Sequence, residues 1–147
     1  MKALQFFAIV LTALALTPGC AHVASFLNKI DLSATDYFIA QATYRGWNLF
    51  GIAQIGALIV NVALAFALRA QSVPFRLALL CVLCLAGGLA IFFAFTFPTN
   101  IATDNWTTIP PEWESLRWQW EVSHVANAAL TLAGFCALAL SVVWSRD

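Results

Sequence analysis

A chain of 147 residues with seven basic and seven acidic side chains carries no net charge, and 62% of it is hydrophobic against 10% charged. That apolar excess, with 12 Phe and 6 Trp, exceeds what a soluble core of this length can hide and marks an integral membrane protein. No basic run offers a surface to nucleic acid, and four spans of about 20 to 25 residues use nearly all of the chain as one membrane domain, 1–147.

The first apolar run covers residues 3–27, follows Lys2 and is interrupted by Pro18 and Gly19. Two readings stand for it. A retained membrane helix fits its length; a cleaved leader fits the basic start, the apolar stretch from Leu4 to Leu16 and the small residues near Gly19. A lipoprotein site at Cys20 calls for an aliphatic residue three positions earlier, where this chain has Thr17. Cleavage at Cys20 would take His22 out of any bundle.

The second run covers residues 44–68. The segment before it, from Ser33 to Tyr44, lacks proline and glycine and opens on a good capping residue, which predicts a helix already under way outside the membrane. The third run, 75–97, is expected to end at Pro98, with the polar stretch from Thr99 to Pro111 as a loop and Arg76 and Trp106 as its anchors. The fourth helix is expected to begin at Pro111, with Glu112 and Glu114 at the positive end of its dipole, and to run to Trp144. Its membrane portion is 117–144. The expectation is therefore an all-α, up-down four-helix transmembrane bundle whose second and fourth helices extend beyond the outer membrane face.

Lys2, Arg69, Arg76 and Arg146 fall at one set of helix ends, and Lys29, Arg45 and Arg117 at the other. The tight Arg69 to Arg76 connection weighs most, which puts both termini in the cytoplasm. At ~1.5 Å per helical residue, His22 then lies ~27 Å up the first helix, Asn48 ~31 Å up the second and His124 ~30 Å up the fourth, with Asn100 just past the end of the third. Ionisable groups at membrane depth suggest a site by default. Tyr37, Gln41, Tyr44 and Asn48 form one helical stripe, and Glu114, Arg117, Glu121 and His124 another.

Arg117, Glu121 and His124 in series read as an oriented base, the arginine holding the carboxylate ionised and the carboxylate stabilising an imidazolium. The plainer reading treats the stripes as satisfied hydrogen-bond networks, with Trp106, Trp113, Trp118 and Trp120 as an interfacial aromatic belt and His22 bonding a neighbouring helix. His22 and His124 at one depth are also the pair a bis-histidine haem b would need. Cys81 and Cys84 form a CxxC only ~9 to ~14 Å from the inner end, far from where outer-face dithiol chemistry would need it. These two, with Cys20 and Cys136, read as buried small hydrophobes with no obligatory disulfide. Asn105 to Thr107 is a glycosylation sequon, Gly87 and Gly88 suit close helix packing, and Gln54 and Asn61 suit bonds across another helix contact.

The stretches Phe97, Pro98, Thr99, Asn100; Asn105, Trp106, Thr107; Pro111 to Arg117; and Trp120 to His124 followed by Asn127, together with Tyr44 to Trp47, resemble the signature of the anthrone-oxygenase-like proteins. These are small four-helix membrane proteins long catalogued as a domain of unknown function, and the likeness covers essentially the whole chain. It implies oxidation of an anthrone to an anthraquinone by molecular oxygen with neither metal nor flavin, although many bacterial members have no assigned reaction. Such chemistry suits the residues: His124 deprotonates an acidic carbon, the anion reacts with oxygen, and donors such as Asn48, Asn100, Arg117 or Tyr44 stabilise it. The expected site has His124, Glu121 and Arg117 as catalytic residues and His22, Tyr44, Asn48, Asn100, Trp106 and Trp120 as ligand-binding residues. It takes a lipophilic aromatic or quinol-type molecule from the outer leaflet and uses no cofactor, with haem b as the lesser option. The rival expectation is a non-catalytic protein that binds membrane lipid or a partner subunit, and a homo-oligomer is compatible with either.

Overall fold

The computed structural model describes residues 1–146 and, among them, contains helices and no strand. Helix α1 (Lys2–Lys29) passes through Pro18 without breaking, although proline removes the N–H that the carbonyl of residue 14 would accept. Thr17 donates its hydroxyl to the Ala13 carbonyl at 3.0 Å in the same turn. Helix α2 (Ala34–Ala42) starts where predicted, capped by the Ser33 hydroxyl, which accepts from the Asp36 amide.

The helix that begins at Ser33 does not continue into the second span. It stops at Ala42, and a turn with Gly46 at φ 92° leads through a short 3-10 stretch, Trp47–Leu49, into α3 (Phe50–Ala67). Only glycine adopts that φ freely, so the break expresses Gly46, a residue that the apolar pattern alone does not flag. Pro98 departs from expectation in the opposite sense. Helix α4 (Ser72–Ile91) runs on through a π-helical turn, Phe92–Thr96, into α5 (Phe97–Ala102), with Pro98 at its start. The widened turn lets the Phe97 amide reach back to the Phe92 carbonyl and accommodates the proline ring and its missing donor, so Asn100 lies in a helix instead of a loop. Helix α6 (Trp113–Trp144) begins two residues after Pro111.

Four stretches are long and apolar enough to cross a membrane: Lys2–Lys29, Trp47–Ala67, Ser72–Ala102 and Trp113–Trp144. Their outward surface carries exposed Phe6, Leu27, Ile52, Ile59, Phe66, Leu83, Phe93 and Val143, a covering suited to lipid and costly in water. This is the make-up of an integral multi-pass membrane protein. Around the bundle, α1 packs on α3 and α6, and α4 packs on the same two.

One end is marked by Gln5 donating to Ser145 at 2.7 Å and by Gln71 bonding the backbone of Arg146. From there the buried core is made of small and aliphatic residues, among them Ala8, Ala57, Leu64, Ala78, Cys81, Leu85 and Leu138. Cys81 and Cys84 are buried, as the sequence suggests, but Cys20 and Cys136 face outward, which corrects the expectation that all four are interior. At the other end α2 lies against α6 and the loop after α5, where Tyr37, Phe38, Trp106 and Trp120 form a second, aromatic cluster.

Candidate functional site

Beside the aromatic cluster the helices border a partly open cavity of about 780 Å³. His22, Gln41, Tyr44, Asn48, Asn100 and His124 line it along with Trp47, Trp106 and Trp120, and Ile55, Leu89, Phe92 and Phe93 contribute apolar wall. A pocket of this size and mixed lining suits a drug-sized lipophilic molecule with a few polar groups.

The two histidines, more than a hundred positions apart in the chain, meet with ring centroids 4.3 Å apart and planes at 66°. Trp120 flanks both, 3.9 Å from His124 and 4.8 Å from His22, and Tyr44 lies 4.5 Å from His22. Trp47 closes the group 5.4 Å from His22. The edge-to-face contacts set ring edges against ring faces, the favoured arrangement for aromatic pairs.

His124 Nδ1 lies 2.8 Å from the Trp120 carbonyl, one turn back along α6. A carbonyl oxygen only accepts, so Nδ1 carries a proton, and when the ring is neutral Nε2 keeps its lone pair. His22 is buried, and its Nδ1 has no hydrogen-bond partner among the described residues.

The serial Arg117, Glu121, His124 arrangement expected from their spacing is not what these side chains make. Glu121 is fully buried and pairs across the bundle with Lys29, Oε1 to Nζ 2.9 Å, an ion pair by distance and not aligned as a hydrogen bond. Tyr37 donates its hydroxyl to the same oxygen at 2.9 Å, and Gln41 Nε2 donates to the Tyr37 oxygen at 2.5 Å. Arg117 reaches sideways to the Leu32 carbonyl at 2.8 Å and stacks 4.6 Å from the Trp113 ring. Lys29, at the end of α1, already supplies the cation for Glu121, so the arginine is left to hold the α1–α2 connection. Burial and the Glu121 charge push the Tyr37 hydroxyl well above the ordinary phenol range, so it keeps its proton and remains a donor.

Lys29 was not expected in the site. Its ammonium sits 4.8 Å from the Tyr44 ring and 5.2 Å from the Trp120 ring, a cation–π arrangement against the back of the aromatic wall. The signal was present in the sequence: Lys29 follows His22 by seven residues and so shares its helical face.

The remaining expected residues fall at the cavity. Asn100 Oδ1 accepts from both the Trp106 and the Trp120 indoles, at 3.2 and 3.0 Å, and so fixes two walls at once. Tyr44 exchanges a 3.3 Å hydrogen bond with Ser25. Asn48 lines the cavity but is exposed and lies in the 3-10 stretch. Trp106 has φ 64°, after Asp104 and Asn105 at 47° and 54°. Asp and Asn tolerate that region, whereas an indole residue there is strained by about 1–3 kcal/mol. Its bond to Asn100 and its burial against Tyr37 and Phe38 hold it. Comparison with family models, curated proteins and solved structures finds no match to this chain.

Proposed function

We propose that this protein is a membrane-embedded, anthrone-oxygenase-like enzyme that binds a lipophilic aromatic or quinol-type molecule in the α2-end cavity and oxidises it with molecular oxygen. The reading takes the four spans as an up-down bundle with both termini in the cytoplasm, so that α2 and the cavity mouth face the outer leaflet. It is supported by the bonds that gather Gln5, Gln71, Ser145 and Arg146 at one end and by the clustering of the expected polar groups at the other.

The observation that carries it is an imidazole oriented inside an aromatic-walled cavity: His124 Nδ1–H is held by the Trp120 carbonyl, so that Nε2 is the base when the ring is neutral. In the proposed reaction Nε2 takes a proton from a methylene activated by neighbouring rings, and the carbanion gives its electrons to oxygen, forming a C–O bond. The resulting peroxide anion regains a proton. Removal of the second hydrogen from that carbon then breaks the O–O bond and releases water, so the methylene becomes a carbonyl and oxygen is reduced to one carbonyl oxygen and one water. Asn48 at the cavity and the neighbouring Tyr44 hydroxyl are donors for the carbanion, while Glu121 and Lys29 act as positioning residues behind the aromatic wall. A paired-histidine haem suits this site poorly, because rings in direct contact leave no layer for a macrocycle between them.

The test is oxygen consumption by the purified chain in detergent with anthrone, against a protein-free blank. Turnover above the blank is expected, and His124→Gln should lower it by about 10²–10⁴-fold with an unchanged thermal midpoint. No rate above the blank would leave lipid or partner binding as the role of the cavity.

A further inference from the structure

We infer that Gln41 is a specificity-determining residue: its side-chain Oε1 accepts a hydrogen bond from a hydroxyl group on the ligand, so the cavity selects hydroxyl-bearing ring systems over their ethers and over bare rings. This rests on the reading of the cavity as an aromatic small-molecule site.

The argument begins at the Lys29–Glu121 pair. An ionised carboxylate only accepts, and Glu121 Oε1 forms an ion pair with Lys29 Nζ at 2.9 Å. The Tyr37 hydroxyl therefore gives its single proton to Glu121. With that proton committed, the Tyr37 oxygen accepts from Gln41, and the group facing it must be the amide nitrogen. Turning the amide over would set two acceptors against each other.

The ion pair thus fixes, through two hydrogen bonds, which end of Gln41 remains free. That end is Oε1, which is buried and has no partner among the described residues, on a side chain that is 4% exposed and lines the cavity. A buried acceptor without a donor is unfavourable until one arrives. A ligand hydroxyl supplies the donor, whereas an ether or an unsubstituted ring leaves the carbonyl unpaired and also displaces any water that served it.

The experiment measures quenching of tryptophan fluorescence in the full chain, in detergent micelles, by 2-hydroxyanthraquinone, 2-methoxyanthraquinone and anthraquinone. Mildly acidic buffer keeps the hydroxyl protonated. The ether enters micelles more readily than the phenol, so partition works against the expected order. Wild type should bind the hydroxyl compound about tenfold or more tightly than the other two, and Gln41→Leu should bind all three within about twofold. Tyr37→Phe keeps Gln41 but frees its amide to turn, and should retain binding while losing most of the preference.

Binding of all three by wild type with no preference, or a preference that survives Gln41→Leu, overturns the role of Gln41 and leaves the cavity reading standing. If wild type binds none of the three, the cavity reading itself fails. Should Gln41→Leu not fold, the ratio in Tyr37→Phe decides, and an undiminished preference there overturns the inference.

Discussion

Near the Gln5–Ser145 end, the helices touch through Ala8, Ala57, Ala78 and Gly134, and buried polar contacts such as Asn61 Nδ2 to Thr12 Oγ1 at 2.9 Å and Ser141 Oγ to the Pro74 carbonyl at 2.7 Å link neighbouring helices. At the α2 end the same helices present His22, Trp47, Phe92, Trp120 and His124 to one another, and a cavity of about 780 Å³ remains. Membrane helices gain little from excluding lipid and depend on close packing, which small residues allow. Broad rings hold the backbones apart, and the space between them becomes available to a ligand. Gln41 Oε1 and His22 Nδ1, which have no partner among the described residues, belong to the open end, where polar groups without partners are disadvantageous to folding and useful for binding.

That contrast can be broken most forcefully at the buried ion pair. Lys29→Met leaves Glu121 buried without its cation and should lower stability by about 3–5 kcal/mol, read as a fall in the thermal midpoint in detergent. Adding Glu121→Gln should restore most of the loss, and a double variant no better than the single one would show that the two charges are not coupled.

A smaller effect is expected in the close-packed half. A Cβ on Gly134 would lie 3.0 Å from Cys84 Cβ, so Gly134→Val should destabilise by about 1–3 kcal/mol through overpacking. Gly51, which borders the cavity and has no atom within 4 Å of an added Cβ, should accept alanine with a change of about 0.5 kcal/mol or less. Equal losses at both positions would remove the distinction between the two ends.

A comparably small effect belongs to the Asn61–Thr12 contact in the tight half. A double-mutant cycle of Thr12→Ala and Asn61→Ala should give a coupling near 0.6 kcal/mol, typical of a hydrogen bond between membrane helices. A coupling several times larger would mean that this half depends on polar bonding instead of packing.

Much of the α2 end was legible from helical arithmetic. His22 and His124 were expected at one depth and their rings touch; Tyr37 and Gln41, one turn apart on a predicted stripe, are hydrogen-bonded. Helical rise and face repeat regularly, so position along the chain transfers to position in space. The partner of Glu121 was not legible, because both Arg117 on its own helix and Lys29 on another satisfy the same charge rule. The choice follows from how α1 and α6 are rotated against each other. Gly46 and Pro98 were misleading for a related reason: a break or its absence depends on whether neighbouring packing supports a turn at φ 92° or a π-helical turn.

By itself the sequence determined that this chain makes four membrane-length apolar helices and that their scarce polar residues gather towards one end, since burial in lipid depends on apolar content summed over each segment. Tertiary structure alone decided that Lys29 answers Glu121, that Asn100 ties two indoles together, and that Gln41, a cavity-lining residue, has a buried side-chain oxygen with no partner among the described residues. Those outcomes depend on side-chain directions across helix contacts, where rotations of a few tens of degrees exchange one partner for another.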